Sequence, residues 1–186
     1  KKFKEKIGSE LLTLHVAASK VGAMDLGFVS EMGYNSSIKW SDVVFNFGVD
    51  DYEIPKGSFV IYQGSHGDRG AERADIILPG CAFTEESGTF VNTEGRPQMA
   101  FKACETFGEA RENWAILREL SDRLKVPFSF NSFEELRTQL FHEKPHLGAI
   151  DEIPVNSWKP SEKFSEKCLD KNLKTVFKDH YLTNPI

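Results

Sequence analysis

Apolar residues recur along this chain with two different periods. Ile7, Leu11, Leu14, Ala18 and Val21 return every three or four positions, which predicts a helix over 7–22 with one apolar face, left at Gly22 and Gly27. The polar, Gly/Asn/Ser-rich stretch from Glu31 to Lys39 reads as a loop. Three short runs then lose all alternation: Val43 to Phe47, Phe59 to Tyr62, and Asp75 to Gly80 with its Ile-Ile-Leu centre. Each is bounded by glycine or proline. Continuous apolar runs of this length suit strands covered on both faces, and so a parallel sheet. The glycine-rich stretch from Gly64 to Ala74 leaves room for about one helical turn, a crossover at the compact limit.

Helical spacing resumes at Glu109 to Lys125. Ala110, Trp114, Leu117, Leu120 and Leu124 form the stripe, and Pro127 stops it. A second helix is predicted over Ser132 to Phe141. Ser132 and Glu135 fit the S-x-x-E capping box, and Pro145 ends the helix. Beyond Leu147 periodicity fades into an extended tail, with one short helix expected around Glu162 to Lys171. The expected organisation is an α/β unit over 1–144 and a tail over 145–186.

Composition adds limits. No apolar run approaches the roughly 20 residues that cross a bilayer, and no signal peptide follows Lys1, Lys2, Lys4 and Lys6. The absence of an initiator Met suits a processed chain or a fragment. A net charge of −5 argues against nucleic acid as the main partner. The Lys-rich stretch from Lys159 to Lys178 is broken by Glu162, Glu166, Asp170 and Asp179, as in a solvated tail. Cys81, Cys104 and Cys168 are odd in number and widely spaced, so free thiols in a reducing compartment are expected.

Each candidate for chemistry has a plainer reading. No C-x-x-C pair exists to start an iron–sulfur or zinc site. His142 and His146 have ligand spacing, but Pro145 interrupts the helix, so solvated histidines are expected. The loop Gly64-Ser65-His66-Gly67-Asp68-Arg69-Gly70 follows a strand, where phosphates dock. It matches no phosphate fingerprint, and a glycine turn with Asp68 capping the next helix is the plainer account. Ser65 and His66 are adjacent, which rarely makes a working hydrolytic pair, and there is no nucleophile elbow. Glu85, Glu86 and Glu94 lie near Arg96 in a turn-rich stretch, Thr84 to Gln98. They are expected to brace an Ω-type loop held by Arg96 rather than to exchange protons.

The stretch from Ala74 to Gln98 reads ADIILPG, then TEESGTFVNTEGRPQ. It resembles the molybdopterin oxidoreductase superfamily, in which this segment borders the pterin dinucleotide. The preceding GSHGDRGA is similar to the large ("75 kDa") iron–sulfur subunits of respiratory complex I. Met24 to Gly27, Ala110 to Trp114 and Tyr181 to Ile186 extend the likeness. The resemblance implies a partial Rossmann-like fold of the molybdopterin oxidoreductase type: a mainly parallel sheet, flanking helices and an extended C-terminal tail. It implies a non-catalytic scaffold with no catalytic, cofactor-binding or metal-binding residue of its own. The 2Fe–2S and 4Fe–4S clusters belong to the N-terminal part of such subunits. The implied partners are that N-terminal part and other subunits of the peripheral arm, at the matrix side of the mitochondrial inner membrane. Two alternatives remain open. One is a fragment of a molybdopterin-dependent oxidoreductase, with Gly64 to Arg73 touching a pterin phosphate. The other is a free-standing small-molecule-binding α/β domain.

Overall fold

The computed structural model describes residues 20–29, 38–50 and 52–153. The predicted helix over 7–22 lies largely outside the described residues, as do most of the 31–39 loop and the tail after 153. Helix α1 spans Lys20–Asp25. It runs through Gly22, which is buried inside it, and ends instead at Gly27. There φ is +83°, and the Phe28 and Gly27 amides close back on the carbonyls of Ala23 and Met24. Glycine carries this left-handed cap without a Cβ penalty.

The apolar runs form strands β1 (Val43–Phe47), β2 (Phe59–Gly64) and β3 (Ile76–Pro79), paired parallel in the order β1-β2-β3. The compact crossover holds the single helical turn α2, Arg69–Glu72. Asp68 occupies its N-cap position, but the side chain makes no cap bond there. Asp50 does this work from the preceding connection, with Oδ1 accepting the Gly70 amide at 2.7 Å. The sheet is also covered less than apolar strands suggest. Val60 and Tyr62 are buried, whereas Val43, Phe47, Phe59, Ile76 and Ile77 are exposed.

The segment expected to be an Ω-type loop is a hairpin. Strands β4 (Gly88–Val91) and β5 (Pro97–Ala100) pair antiparallel in a second sheet. Asn92 turns it: Oδ1 accepts the amides of Glu94 and Arg96, and Gly95 takes φ +84°. Arg96 does not engage the glutamates. Its guanidinium donates to the carbonyl of Asp151 at 2.9 Å.

Helix α3 spans Asn113–Arg123, four residues short of the predicted start. Arg111 is extended because its main chain serves the sheet: its amide donates to the carbonyl of Pro79, and its carbonyl accepts from Cys81. The helix ends on Lys125 at φ +59°, with Val126 bonded back to Ser121. Helix α4 spans Phe133–Glu143. Ser132 Oγ accepts the Glu135 amide at 3.1 Å, and Glu135 reaches back to the amide of Asn131 at 2.6 Å. A 3-10 turn, Pro145–Gly148, follows. Its Leu147 is buried beneath α4 and β5, and the Asp151 amide bonds to Pro97. The head of the segment read as tail therefore packs on the hairpin.

Candidate functional site

Parallel strands point their carboxyl ends at one rim, where ligands of open α/β sheets bind. Here that rim bounds a cavity of about 480 Å³ between β1, β2, the 64–66 loop and the start of α3. Phe47, Trp114 and Leu117 supply apolar wall; Tyr62, Gln63 and His66 supply polar groups.

The loop is shaped by close approach. A Cβ on Gly64 would sit 2.7 Å from the Tyr62 hydroxyl, and one on Gly70 would sit 2.5 Å from the carbonyl of Val49. The Tyr62 hydroxyl donates to the carbonyl of His66 at 2.9 Å, which closes the loop over the strand end. Burial, then Asp50 and Asp68, raise the Tyr62 pKa, so the phenol stays protonated. Ser65 Oγ lies 2.9 Å from His66 Nδ1, closer than adjacency suggests. Both residues are exposed, and the histidine's bond partners among the described residues include no carboxylate that would orient it as a base.

Behind the loop lies a relay that links distant parts of the sequence. Gln63 is 2% exposed, an isolated amide in an apolar strand. Its Nε2 donates to Asn113 Oδ1 at 2.9 Å. Asn113 Nδ2 donates to Glu86 Oε1 at 2.6 Å, and the Asn113 amide donates to Glu86 Oε2 at 2.9 Å. Glu86 thus caps the first turn of α3 from outside the helix, where a carboxylate meets the positive end of the dipole. Burial raises its pKa, and the bonds from Asn113 act against that rise. Glu85 is likewise engaged in structure, accepting the amides of Ala82 and Phe107. Gly80 is required here, because a Cβ would collide with Asn113 Oδ1. One polar atom in this set, Gln63 Oε1, is buried without a partner among the described residues.

The thiols do not converge on a centre. Cys81 is buried, and burial followed by the nearby Glu86, Glu85 and Glu112 pushes its pKa up to about 11. Cys104 is exposed, with its sulfur against the carbonyl of Thr84, and Cys168 lies outside the described residues. Among the described residues no group of three or more His, Cys, Asp or Glu side chains is placed to hold a metal. His142 and His146 are both exposed, and His146 Nε2 lies 3.4 Å from Asp25 Oδ2 on α1.

The molybdopterin oxidoreductase family model matches residues 2–123. The chain belongs to this family. Its relatives include the NADH-ubiquinone oxidoreductase 75 kDa subunit of Reclinomonas americana, 41% identical across 93% of this chain and 26% of that protein. The NADH-ubiquinone oxidoreductase 78 kDa subunit of Candida albicans is 40% identical across 93% of this chain and 24% of its own length. That of Neurospora crassa is 38% identical, again across 93% of this chain and 24% of its own length. The chain therefore spans about a quarter of the length of the curated relatives it matches.

The family's fold implies a pterin dinucleotide, and the cavity is a poor fit to one. A pyrophosphate calls for cations or a nest of amides. Among the described residues no Lys or Arg lines this cavity, and Arg69 is exposed outside it. The charges that raise the Tyr62 pKa are the carboxylates of Asp50 and Asp68. The polar atoms of Asn113 and Glu86 are already engaged with each other and with Gln63.

Proposed function

We propose that this chain is the C-terminal, non-catalytic scaffold portion of the large iron–sulfur subunit of respiratory complex I. In this reading it sits in the peripheral arm at the matrix side of the mitochondrial inner membrane. The whole complex passes electrons from NADH to ubiquinone; this portion contributes shape and surface, and its partners carry the clusters. One observation carries the reading: 38–41% identity over most of the chain to proteins named as this subunit. The side-chain chemistry supports it, since the relay commits its carboxylates to amides and, among the described residues, the cavity lacks the cations a pyrophosphate needs.

Affinity purification of the tagged chain from its own cells tests the proposal. It should bring down a cluster-bearing protein with NADH-dependent quinone reductase activity. Recovery without iron–sulfur protein would refute it. The second reading, a fragment of a molybdopterin-dependent oxidoreductase, draws on the cavity and the unpartnered Gln63 Oε1. It requires stoichiometric pterin and molybdenum in the same preparation.

A further inference from the structure

The loop that enters β4 and the loop that leaves β5 are stapled to each other. The amides of Ala103 and Cys104 donate to the carbonyl of Thr84 at 2.8 and 3.1 Å. The Lys102 amide donates to Ser87 Oγ at 3.0 Å, and the Phe107 amide to Glu85 Oε1 at 3.2 Å. These bonds fix a platform that displays aromatic rings to solvent: Phe83 is 57% exposed, Phe101 76% and Phe107 86%. Apolar residues exposed singly are ordinary, but several gathered on an ordered frame mark a contact surface. Carboxylates outnumber cations around it. Glu105 is paired with Lys102 at 2.8 Å, and Glu109 is exposed nearby in sequence.

The rest of this chain starts close by. The Asp151 amide donates to the carbonyl of Pro97, and the Arg96 guanidinium donates to the Asp151 carbonyl. The described residues therefore leave the hairpin at the first residue of β5, while Phe101 follows its last. Four strand steps separate Pro97 from Phe101, about 13 Å. The seven residues from Asp151 to Trp158 can span about 23 Å when extended, so Trp158 reaches the platform. The segment 154–160 reads Pro-Val-Asn-Ser-Trp-Lys-Pro, outside the described residues. Its prolines favour extended backbone. It carries one large ring and one charge, the cation of Lys159. A segment tethered at this point meets the platform at an effective concentration that a free partner does not reach.

We propose that residues 154–160 continue the packing begun at Leu147 and lie across this platform. Trp158 seats among Phe83, Phe101 and Phe107, and Lys159 lies beside Glu105 and Glu109. The contact is internal to the chain and independent of the scaffold reading.

The test uses the assembly purified from its own cells. Phe107 is replaced by the photoreactive p-benzoylphenylalanine, a near-isostere at an exposed position, and the sample is irradiated. Cross-linked peptides are identified by mass spectrometry, with the same replacement at the exposed Phe128 as a reference site. The expected product joins position 107 to a peptide containing 154–160 and keeps the mass of one chain, and the reference site does not capture that peptide. Trp158→Ala should lower the yield about tenfold, while Trp158→Phe keeps it. Lys159→Glu should lower it about threefold, and adding Glu109→Lys should restore it. Capture of a second copy, of another subunit or of a different part of this chain would overturn the proposal. No capture, equal capture by the reference site, or an unchanged yield in Trp158→Ala would do the same. None of these outcomes touches the scaffold reading, which stands or falls on the cluster-bearing protein that co-purifies.

Discussion

Replacing Asn113 by alanine tests whether the polar relay holds the sheet, the hairpin loop and α3 together. The change removes three side-chain bonds: from Gln63 at 2.9 Å, to Glu86 at 2.6 Å, and to the carbonyl of Cys81 at 3.3 Å. Gln63 keeps one bond, to the Asn113 carbonyl at 3.1 Å. Glu86 keeps the Asn113 amide. A neutral bond contributes about 1 kcal/mol net, and one to a carboxylate about 1.5–3. Alanine's better helix propensity returns about half a kcal/mol. The expected loss is therefore about 3–4.5 kcal/mol. It is read as a lower urea midpoint at unchanged slope, followed by tryptophan fluorescence. A double-mutant cycle sharpens the test. With Asn113 intact, Gln63→Leu strands the asparagine and destabilises. In the Asn113→Ala background it removes a poorly satisfied buried amide and should be neutral or stabilising. Two destabilisations that simply add would show that these residues do not act as a unit.

Four further outcomes follow from the geometry. Glu86 has a folded pKa raised above its usual 4.5, so the native state binds more protons than the unfolded chain in the window just above 4.5; stability should fall as pH rises through that window, and Glu86→Leu should flatten the slope in pH-dependent urea melts. Leu147→Ala empties a buried site under α4 and β5 and should cost about 2–4 kcal/mol, with limited proteolysis opening near 149–153 first. Lys125→Gly should add about 1 kcal/mol, measured by thermal melting, because glycine takes φ +59° without Cβ strain. Iodoacetamide at about pH 8 should label the exposed Cys104 and spare the buried Cys81, whose pKa is about 11, as read by peptide mapping.

The sheet was legible because its signal is local: three unalternating runs between glycines and prolines, and each is a parallel strand. The capping box at Ser132 was legible for the same reason. The errors share a different cause. Helix α3 begins at Asn113 rather than Glu109 because the main chain of Arg111 is claimed by Pro79 and Cys81, some thirty residues away. Nothing at 109–112 announces that claim. Asp68 sits where a cap belongs, yet Asp50 supplies the bond from eighteen positions upstream of it. The β4–β5 hairpin left a readable trace, Asn92 followed three places later by Gly95, which suits a turn with a left-handed residue. Pro97 and the density of turn residues obscured it. The relay left one sign only: a lone glutamine inside an apolar strand, whose buried amide demands partners that spacing cannot name.

On the scaffold reading proposed above, the relay bears on how a chain could keep this fold without the family's chemistry. A ligand at a strand rim is held by polar atoms that the free protein leaves available. Here Glu86 accepts both Asn113 donors, Glu85 accepts two amides, and the Tyr62 hydroxyl is taken up by the carbonyl of His66. These bonds fix α3 and the loop to the sheet, so the same contacts that make the rim rigid leave it little capacity to bind. If the rim instead bound a ligand, for example through the unpartnered Gln63 Oε1, chain purified from its cells would melt at a different temperature from chain refolded without that ligand. Identical melting of the two preparations is the expected result.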